Sequence, residues 1–377
     1  MSRFLSGAAG VLAAALLVTV TPAQATASSA GSARKTLVYI VNYNHNTLVG
    51  YAEHTDGSLR RCARVRTLAG PEAVAIVGTR LVLTADSGAN AIGSYGIRAA
   101  TGALYPISNA REAPGSSPFS ISVTPGGHFA YVANSGNATV SAYRITAGGQ
   151  LIPAGRAQEP RGASPYHVTF NPGGQFAYVA NFGNDTIGIY RRTPGHAALT
   201  RLGVYHEPAG DGPYDLATGP DGHYLYVADF RSNILLVLKI QQNGLLSIRD
   251  RVAEPFDHHP DSLVIDPSGR YLFVANTSAN DITAFRIQQA TGRLARVGRV
   301  PTGGYPFSLT LDEAARFVYA VSFGSSTING YRLDRHTGLL TPLGTTHEPG
   351  AAGPYGIAAV TLPGRTGAAR PVSKKTR

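Results

Sequence analysis

The stretch SPYHVTFNPGGQFAYVAN, residues 164–181, has a near twin in SPFSISVTPGGHFAYVAN, residues 117–134. Both contain a short β-rich run that begins at a proline, a turn around two glycines, and a second run that ends in Tyr-Val-Ala-Asn. Self-similarity at a spacing of 47 residues indicates a repeat architecture. Among the differences between the two copies, the one at 117–134 has Ser120 where the one at 164–181 has His167.

The tetrad recurs seven times in variant form, and its last residue falls at positions 42, 86, 134, 181, 229, 276 and 322. Nine positions later, six of the seven copies carry an aromatic residue. Each unit is predicted to form four short strands separated by turn residues. The sequence therefore predicts an all-β, seven-bladed β-propeller with four antiparallel strands in each blade. The absence of tryptophan argues against the WD40 type.

The two ends of the repeat array predict how the ring closes. The array begins with a second-strand sequence at residues 37–40 and ends with a first-strand sequence at residues 353–360. We expect the C-terminal strand to complete the N-terminal blade, which removes an open sheet edge. The propeller is predicted to span residues 28–362, and residues 363–377 are predicted to be a basic, disordered tail.

Residues 1–27 have the pattern of a secretory signal peptide. Arg3 precedes an apolar run over residues 8–20, and Ala-Gln-Ala at 23–25 provides small residues for cleavage. The chain is therefore predicted to be secreted. No other apolar run approaches the roughly 20 residues that a membrane-spanning helix needs, so no membrane span is expected.

Composition restricts the cofactors and partners. Cys62 is the single cysteine, which excludes an internal disulfide, thiolate metal clusters and a CxxCH haem site, and we expect no cofactor and no metal. The net charge of +11 comes from scattered residues rather than a basic stripe, so no nucleic-acid partner is expected. We expect a monomer that binds a small molecule in its central channel, and the positive charge favours an anionic one.

The first strand of each blade begins at a proline, and strand alternation predicts which side chains face the channel. Positions one, three and five after the proline are predicted to pack between blades, and position two to line the channel. Position two carries the following residues: Ala73, Ser120, His167, Asp215, Ser262, Ser308 and Gly356. Only His167 and Asp215 are ionisable, and their blades are adjacent. They predict a catalytic pair in which Asp215 orients His167 as a general base. A histidine that only fills a wet channel is the alternative.

Five more residues are candidates for substrate binding. Glu72 and Asp261 replace the aromatic residue that usually follows the strand proline, and Arg231 is the best cation for a substrate carboxylate. His259 belongs to a loop, residues 257–261, with two histidines and two carboxylates, a cluster that either binds a metal or is solvated.

Ser120 completes the candidate set. Like His167 and Asp215, it stands two positions after a strand proline, and the three residues would form a Ser-His-Asp triad on consecutive blades. Serine also occupies the matching places at 262 and 308, and neighbouring blades stand roughly 10 Å apart away from the axis, which argues against a triad.

The YVAN tetrads and the pattern P-x-H-V-x-F-x-P-x-G at residues 165–174 resemble the lactonase family of seven-bladed propellers with YVTN-type repeats. That family includes propeller-type 6-phosphogluconolactonases and carboxymuconate-cyclising enzymes. The resemblance matches His167 to the family's histidine after a strand proline. Where the family pattern commonly has arginine and glutamate, this chain has Tyr166 and Phe182.

The resemblance implies a secreted hydrolase or cyclase of a small extracellular lactone, with His167 activating water. Arg231 or a loop amide would hold the developing oxyanion. A non-enzymatic secreted propeller that serves as a ligand-binding or protein-interaction scaffold is the alternative, because one fold supports many functions.

Overall fold

A computed structural model describes residues 34–113, 116–208, 210–253, 258–350 and 352–363. It contains seven four-stranded antiparallel sheets, so the predicted seven-bladed β-propeller is confirmed. The proposed signal peptide and nearly all of the proposed tail lie outside the described residues, as does Asp257 of the histidine-rich loop. In the described part of the chain, no helix has the length and apolar character needed to cross a bilayer.

The strands of the first four blades have the following bounds. Blade 1 contains β1 (Lys35–Asn42), β2 (Thr47–Glu53) and β3 (Leu59–Arg66), joined by a strand from the C-terminus. Blade 2 contains β4 (Pro71–Val77), β5 (Leu81–Asp86), β6 (Ala91–Ile97) and β7 (Leu104–Arg111), with a 3₁₀ turn at Ser87–Ala89. Blade 3 contains β8 (Pro118–Val123), β9 (Phe129–Asn134), β10 (Thr139–Ile145) and β11 (Leu151–Gln158). Blade 4 contains β12 (Pro165–Phe170), β13 (Phe176–Asn181), β14 (Thr186–Arg192) and β15 (Leu199–His206).

The remaining strands repeat this order. Blade 5 contains β16 (Pro213–Thr218), β17 (Tyr224–Asp229), β18 (Ile234–Ile240) and β19 (Leu246–Ala253). Blade 6 contains β20 (Pro260–Ile265), β21 (Tyr271–Asn276), β22 (Asp281–Ile287) and β23 (Leu294–Pro301). Blade 7 contains β24 (Pro306–Leu311), β25 (Phe317–Ser322), β26 (Thr327–Leu333) and β27 (Leu340–His347). The last strand, β28 (Pro354–Leu362), belongs to blade 1.

The predicted closure is also confirmed. β28 pairs antiparallel with β1 from Lys35 to Asn42, so the innermost strand of blade 1 comes from the C-terminal end of the described chain. Ile357, Val360 and Leu362 of this strand are almost fully buried. The ring is therefore fastened by backbone hydrogen bonds and apolar packing.

Seven apolar clusters form the core, and each joins the facing sides of two adjacent blades. The second strand of every blade is buried along its whole length because neighbouring blades cover both of its faces. This explains the near-continuous apolar character of the tetrad segments.

The repeated tetrad has a structural role at each end. Its tyrosine reaches the next blade, as when the Tyr178 hydroxyl donates to the Gly244 carbonyl at 3.1 Å. Gly244 adopts φ of +88°, and a Cβ there would lie 2.3 Å from Phe176, so the turn requires glycine. Its asparagine also bonds within the blade, as when Asn181 Nδ2 donates to Thr186 Oγ1 at 3.2 Å. The tetrad therefore joins blades to one another and also stabilises each blade internally.

A second link between blades, here called the interblade hook, begins four residues after the tetrad. A short polar side chain accepts a hydrogen bond from the backbone N–H of the residue before the next strand proline, and that residue has a positive φ in every blade. The hooks are Asn46 to Gly70, Asn90 to Ser117, Asp185 to Gly212, Asn233 to His259, Asn280 to Tyr305 and Ser326 to Gly353. In six of the seven blades, the first strand therefore starts at a point fixed by the preceding blade; the exception is blade 4, where Ala138 offers Ser164 no side-chain acceptor.

A β-bulge lies at the start of each first strand. In blade 4, Pro165 pairs with Asn181 but His167 pairs with Ala180, so Tyr166 is an extra residue. The same shift occurs in all the other blades. Simple alternation therefore fails here, and the prediction that position one packs between blades is wrong.

Candidate functional site

A cavity of about 150 Å³ lies on the propeller axis among the first strands. Its lining includes residues one and two positions after the strand proline, because the bulge turns both side chains inward. Its principal polar residues are Glu72, Ser120, His167, Asp215, Asp261, Ser262 and Ser308. The structure thus brings together five of the seven residues that the sequence analysis selected.

His167 and Asp215 form a direct pair across adjacent blades. His167 Nδ1 lies 2.7 Å from Asp215 Oδ1, and both side chains are mostly buried. Asp215 is itself held in place, because Oδ1 accepts from the Leu216 amide and Oδ2 from the Leu263 amide, each at 2.7 Å. A 2.7 Å contact between Nδ1 and a carboxylate oxygen places the proton on Nδ1, so the Leu216 amide, 3.2 Å from Nδ1, donates to Asp215 Oδ1 instead, and Nε2 keeps its lone pair.

His167 and Asp215 also have a structural role that the sequence did not reveal. Asp215 Oδ2 accepts a backbone N–H from the inner strand of the next blade, and Ser262 Oγ does the same for Leu309 at 3.3 Å. Polar side chains at position two therefore accept hydrogen bonds from backbone N–H groups of the next blade's inner strand. Unlike the single hydroxyl of Ser262, the His167 ring has a second polar atom, Nε2. The described residues provide no hydrogen-bond partner for it.

Ser120 lines the cavity but forms no triad. Its Oγ is buried and has no hydrogen-bond partner among the described residues, so it does not contact His167. Its hydroxyl is available to a ligand, which is compatible with a binding role and not with an activated nucleophile.

Aromatic side chains form a layer next to the polar residues that line the cavity. Its members come from position one after the strand proline and from the residue after the tetrad: Tyr43, Phe119, Tyr166, Phe182, Tyr214, Phe230, Phe307, Phe323 and Tyr355. The second group was missed by the sequence analysis. Comparing the residue after each tetrad across the repeats could have found it, because four of seven copies are aromatic there.

Two stacks of rings meet within this layer. In one, Phe119 stacks on Tyr166 at a centroid distance of 4.3 Å, and Tyr166 stacks on Phe182 at 4.6 Å with an interplanar angle of 10°. In the other, Tyr214 stacks on Phe230 at 5.3 Å. Tyr214 meets both Phe119 and Tyr166 edge to face. Such contacts hold the rings in fixed orientations.

Arg231 and His259 lie at the outer ends of these stacks and do not line the cavity. The Arg231 guanidinium lies 3.9 Å from the Phe182 centroid, and its Nη1 is 3.3 Å from Asp185 Oδ1. His259 stacks on Phe230 at 4.6 Å and contacts the Ser278 hydroxyl through Nδ1 at 2.7 Å. Both residues therefore support the aromatic layer from outside.

Glu72 and Asp261 interrupt the aromatic layer with carboxyl groups. Each is paired with the hydroxyl that replaces an aromatic residue after the tetrad of its own blade: Ser87 donates to Glu72 at 2.6 Å, and Thr277 to Asp261 at 2.9 Å. Burial raises the pKa of Glu72 to about 7 and raises the pKa of Asp261 well above its usual value. Burial therefore favours the uncharged form of Asp261, which can donate a hydrogen bond.

The raised pKa of Glu72 makes stability depend on pH. The free carboxyl titrates near 4.5 and the folded one near 7, so folding takes up a proton in this interval and stability falls as pH rises through it. Glu72→Gln retains the acceptor for Ser87 and removes the buried charge. We expect the variant to be more stable than the wild type at pH 8, by on the order of 2 kcal/mol, and equally stable at pH 4. Urea unfolding at both pH values measures this difference, and an equal gain at both would contradict the assignment.

Comparisons with known proteins agree with this architecture. A family model described as "Lactonase, 7-bladed beta-propeller" matches residues 38–354. A putative 6-phosphogluconolactonase from Bacteroides fragilis is 18% identical over 89% of this chain and 100% of its own, with a TM-score of 0.77. A periplasmic gluconolactonase from Pseudomonas aeruginosa is 21% identical over 88% of this chain and 100% of its own, with a TM-score of 0.78. Identities this low show a shared fold, and no curated protein matches the chain.

Proposed function

The chain belongs to the lactonase family of seven-bladed β-propellers, and we propose that it hydrolyses a small, uncharged lactone in its axial cavity. The observation that carries this proposal is the His167–Asp215 pair. One ring nitrogen is held by a fixed carboxylate, and the other has no partner among the described residues. This is the arrangement that general-base activation of water requires.

The proposed reaction uses groups on two sides of the cavity. His167 Nε2 removes a proton from water as the water oxygen attacks the lactone carbonyl, and Asp215 stabilises the resulting imidazolium. The carbonyl oxygen gains negative charge and accepts a hydrogen bond from a cavity donor, for which protonated Asp261 is available. The ring C–O bond then breaks, and its oxygen takes the proton from His167 to give the hydroxy acid.

The cavity favours an uncharged substrate. The described residues that line it include Glu72, Asp215 and Asp261 but no lysine or arginine, which argues against the anionic ligand expected from net charge. At the two places where the family pattern has a charged pair, Tyr166 and Phe182 stack on one another. We therefore propose that apolar contacts with aromatic side chains of the cavity wall, rather than ion pairs, hold the substrate.

The size of the cavity and one structural relative narrow the substrate class. A volume of about 150 Å³ accommodates a compact ring, because cavities of this size accept benzene-sized molecules. The fold shared with a protein described as a periplasmic gluconolactonase supports testing sugar lactones first.

We also propose that the chain is exported, because residues 1–27 have the pattern of a signal peptide. Mass spectrometry of the protein from its host's culture medium should then find a mature N-terminus at residue 26 or 28. A protein retained in the cytoplasm with residues 1–27 intact would contradict export.

Turnover of a lactone panel tests the enzymatic proposal. Proton release by purified residues 28–377 is followed with glucono-δ-lactone, δ-valerolactone, γ-butyrolactone and 6-phosphogluconolactone, and spontaneous hydrolysis is subtracted. We expect uncharged lactones to be hydrolysed faster than the phosphorylated one. A folded protein that accelerates none of them would overturn the proposal.

A second candidate function is ligand binding without catalysis, and the aromatic layer is the observation that favours it. Its stacked rings form a recognition surface whether or not His167 acts as a base. Tight binding of a sugar or aromatic ligand, measured by calorimetry with no turnover of any lactone, would favour this function over hydrolysis.

A further inference from the structure

Most blades contain a buried glutamate six residues before a strand proline, and its surroundings show how the fold neutralises it. In blade 4, Glu159 is 2% exposed, and its oxygens accept hydrogen bonds from Asn181 and Tyr190. Arg201 adds a positive charge 3.7 Å away. Three donors on neighbouring strands thus compensate one buried carboxylate.

Blade 5 has lost all three donors. The matching glutamate is Glu207, but the tetrad ends in Asp229 instead of asparagine, and the tyrosine position holds Leu238. Strand pairing places Ile248 opposite Leu238, as Arg201 lies opposite Tyr190 in blade 4. A fourth change adds another acid, because Asp211 occupies the place of Ala163. One isolated carboxylate has therefore become a group of three.

The three carboxylates converge in a buried site. Each offers an oxygen within 4.8 Å of the others, and Glu207, Asp211 and Asp229 are 8%, 5% and 0% exposed. Both oxygens of Glu207 and both oxygens of Asp229 lack a hydrogen-bond partner among the described residues. Buried acceptors without partners are costly, so this site needs a positively charged ligand or a bound proton.

The net charge of the three carboxylates and a neighbouring arginine is one that a single divalent cation would neutralise. Arg251 Nη2 lies 2.9 Å from Asp211 Oδ2, and this guanidinium reduces the charge of three ionised carboxylates to a net −2.

We propose that Glu207, Asp211 and Asp229 bind a divalent cation, with calcium preferred. Carboxylate oxygens are hard ligands, and calcium accepts irregular sets of six to eight oxygens, whereas magnesium demands near-ideal octahedral geometry. The site lies between strands β17 and β18 and the loop before β16, away from the residues that line the axial cavity. Its role would be to stabilise blade 5.

Calcium binding to the purified chain tests the proposal. After treatment with EDTA and dialysis, calcium is titrated by calorimetry, and thermal unfolding is recorded with and without 1 mM calcium. We expect one bound ion per chain and a rise in Tm of about 3 °C or more, because a ligand that binds only the folded state stabilises it. Magnesium should give a smaller rise.

Two variants restore the residues that the repeat has in blade 4. Asp229→Asn recreates the donor that Asn181 provides to Glu159, and Asp211→Ala recreates the small residue at Ala163. Both should fold and lose the calcium-dependent rise in Tm. Asp221→Asn, an exposed aspartate in the same blade, is the matched control and should retain it.

Either of two results would overturn the proposal. Wild-type protein that shows neither binding heat nor a Tm shift with calcium would mean that Glu207 and Asp229 share a proton instead. A calcium effect that persists in both Asp229→Asn and Asp211→Ala would place the ion elsewhere. These readouts are binding and stability, so they do not depend on lactone turnover.

Discussion

Replacing His167 with alanine should lower kcat for lactone hydrolysis by roughly 10²- to 10⁴-fold, the usual contribution of a general base. His167 lines the cavity and contacts Asp215, so its removal leaves water without a base at that place. Substrate affinity should change little, because the aromatic layer remains intact. Steady-state kinetics on the best lactone of the panel would measure kcat and KM separately.

The matched control is His206→Ala, which removes an exposed histidine on the outer strand of the same blade. It should retain wild-type turnover, and both variants should keep the wild-type Tm within a few degrees. Equal kcat values for His167→Ala and the wild type would show that His167 has only a structural role in the channel wall. In that case its role would be to position Asp215, whose Oδ2 accepts the Leu263 amide as Ser262 accepts the Leu309 amide.

Ending the chain at Gly353 should prevent the propeller from folding to a stable monomer. The truncation removes β28, and with it the buried side chains of Ile357, Val360 and Leu362. Three buried aliphatic side chains contribute about 5–9 kcal/mol, which is comparable to the total stability of a domain. The loss also exposes β1 as an apolar sheet edge that promotes aggregation.

Size-exclusion chromatography and thermal unfolding would measure this effect. The control is a chain that ends at Pro363, which retains every described strand and should unfold like the full-length protein. A synthetic peptide of residues 353–363, added during refolding, should partly restore the monomer if the missing strand is the cause. A chain ending at Gly353 that unfolds cooperatively at the wild-type Tm would contradict the role of closure.

The fold could be predicted from the sequence because its signals are repeated. Seven tetrads in register, proline at each first strand and unmatched strands at the two ends determine the blade number, the strand count and the closure. The meeting of His167 and Asp215 could also be predicted, because position two faces the axis in every blade.

Other parts of the site depend on backbone geometry that residue patterns do not encode. The bulge after each strand proline brings Tyr166 and its counterparts to the axis, and strict alternation placed them between blades. Arg231 was expected to bind a substrate carboxylate, but the ring of Phe182 and the carboxylate of Asp185 engage it outside the cavity. The approach of Glu207 to Asp229 brings the loop before β16 next to the end of β17, and only the folded blade determines that distance.

The interblade hook has a consequence for how such a ring arises in evolution. Six of the seven units carry the acceptor four residues after the tetrad, and all carry the donor before the proline, so Asn233 can accept from His259 just as Asn280 accepts from Tyr305. A tandem duplication of about one unit therefore creates a matched head-to-tail interface without any compensating mutation. Blade number can then change by unequal recombination within the gene, and selection on ring curvature determines which number persists.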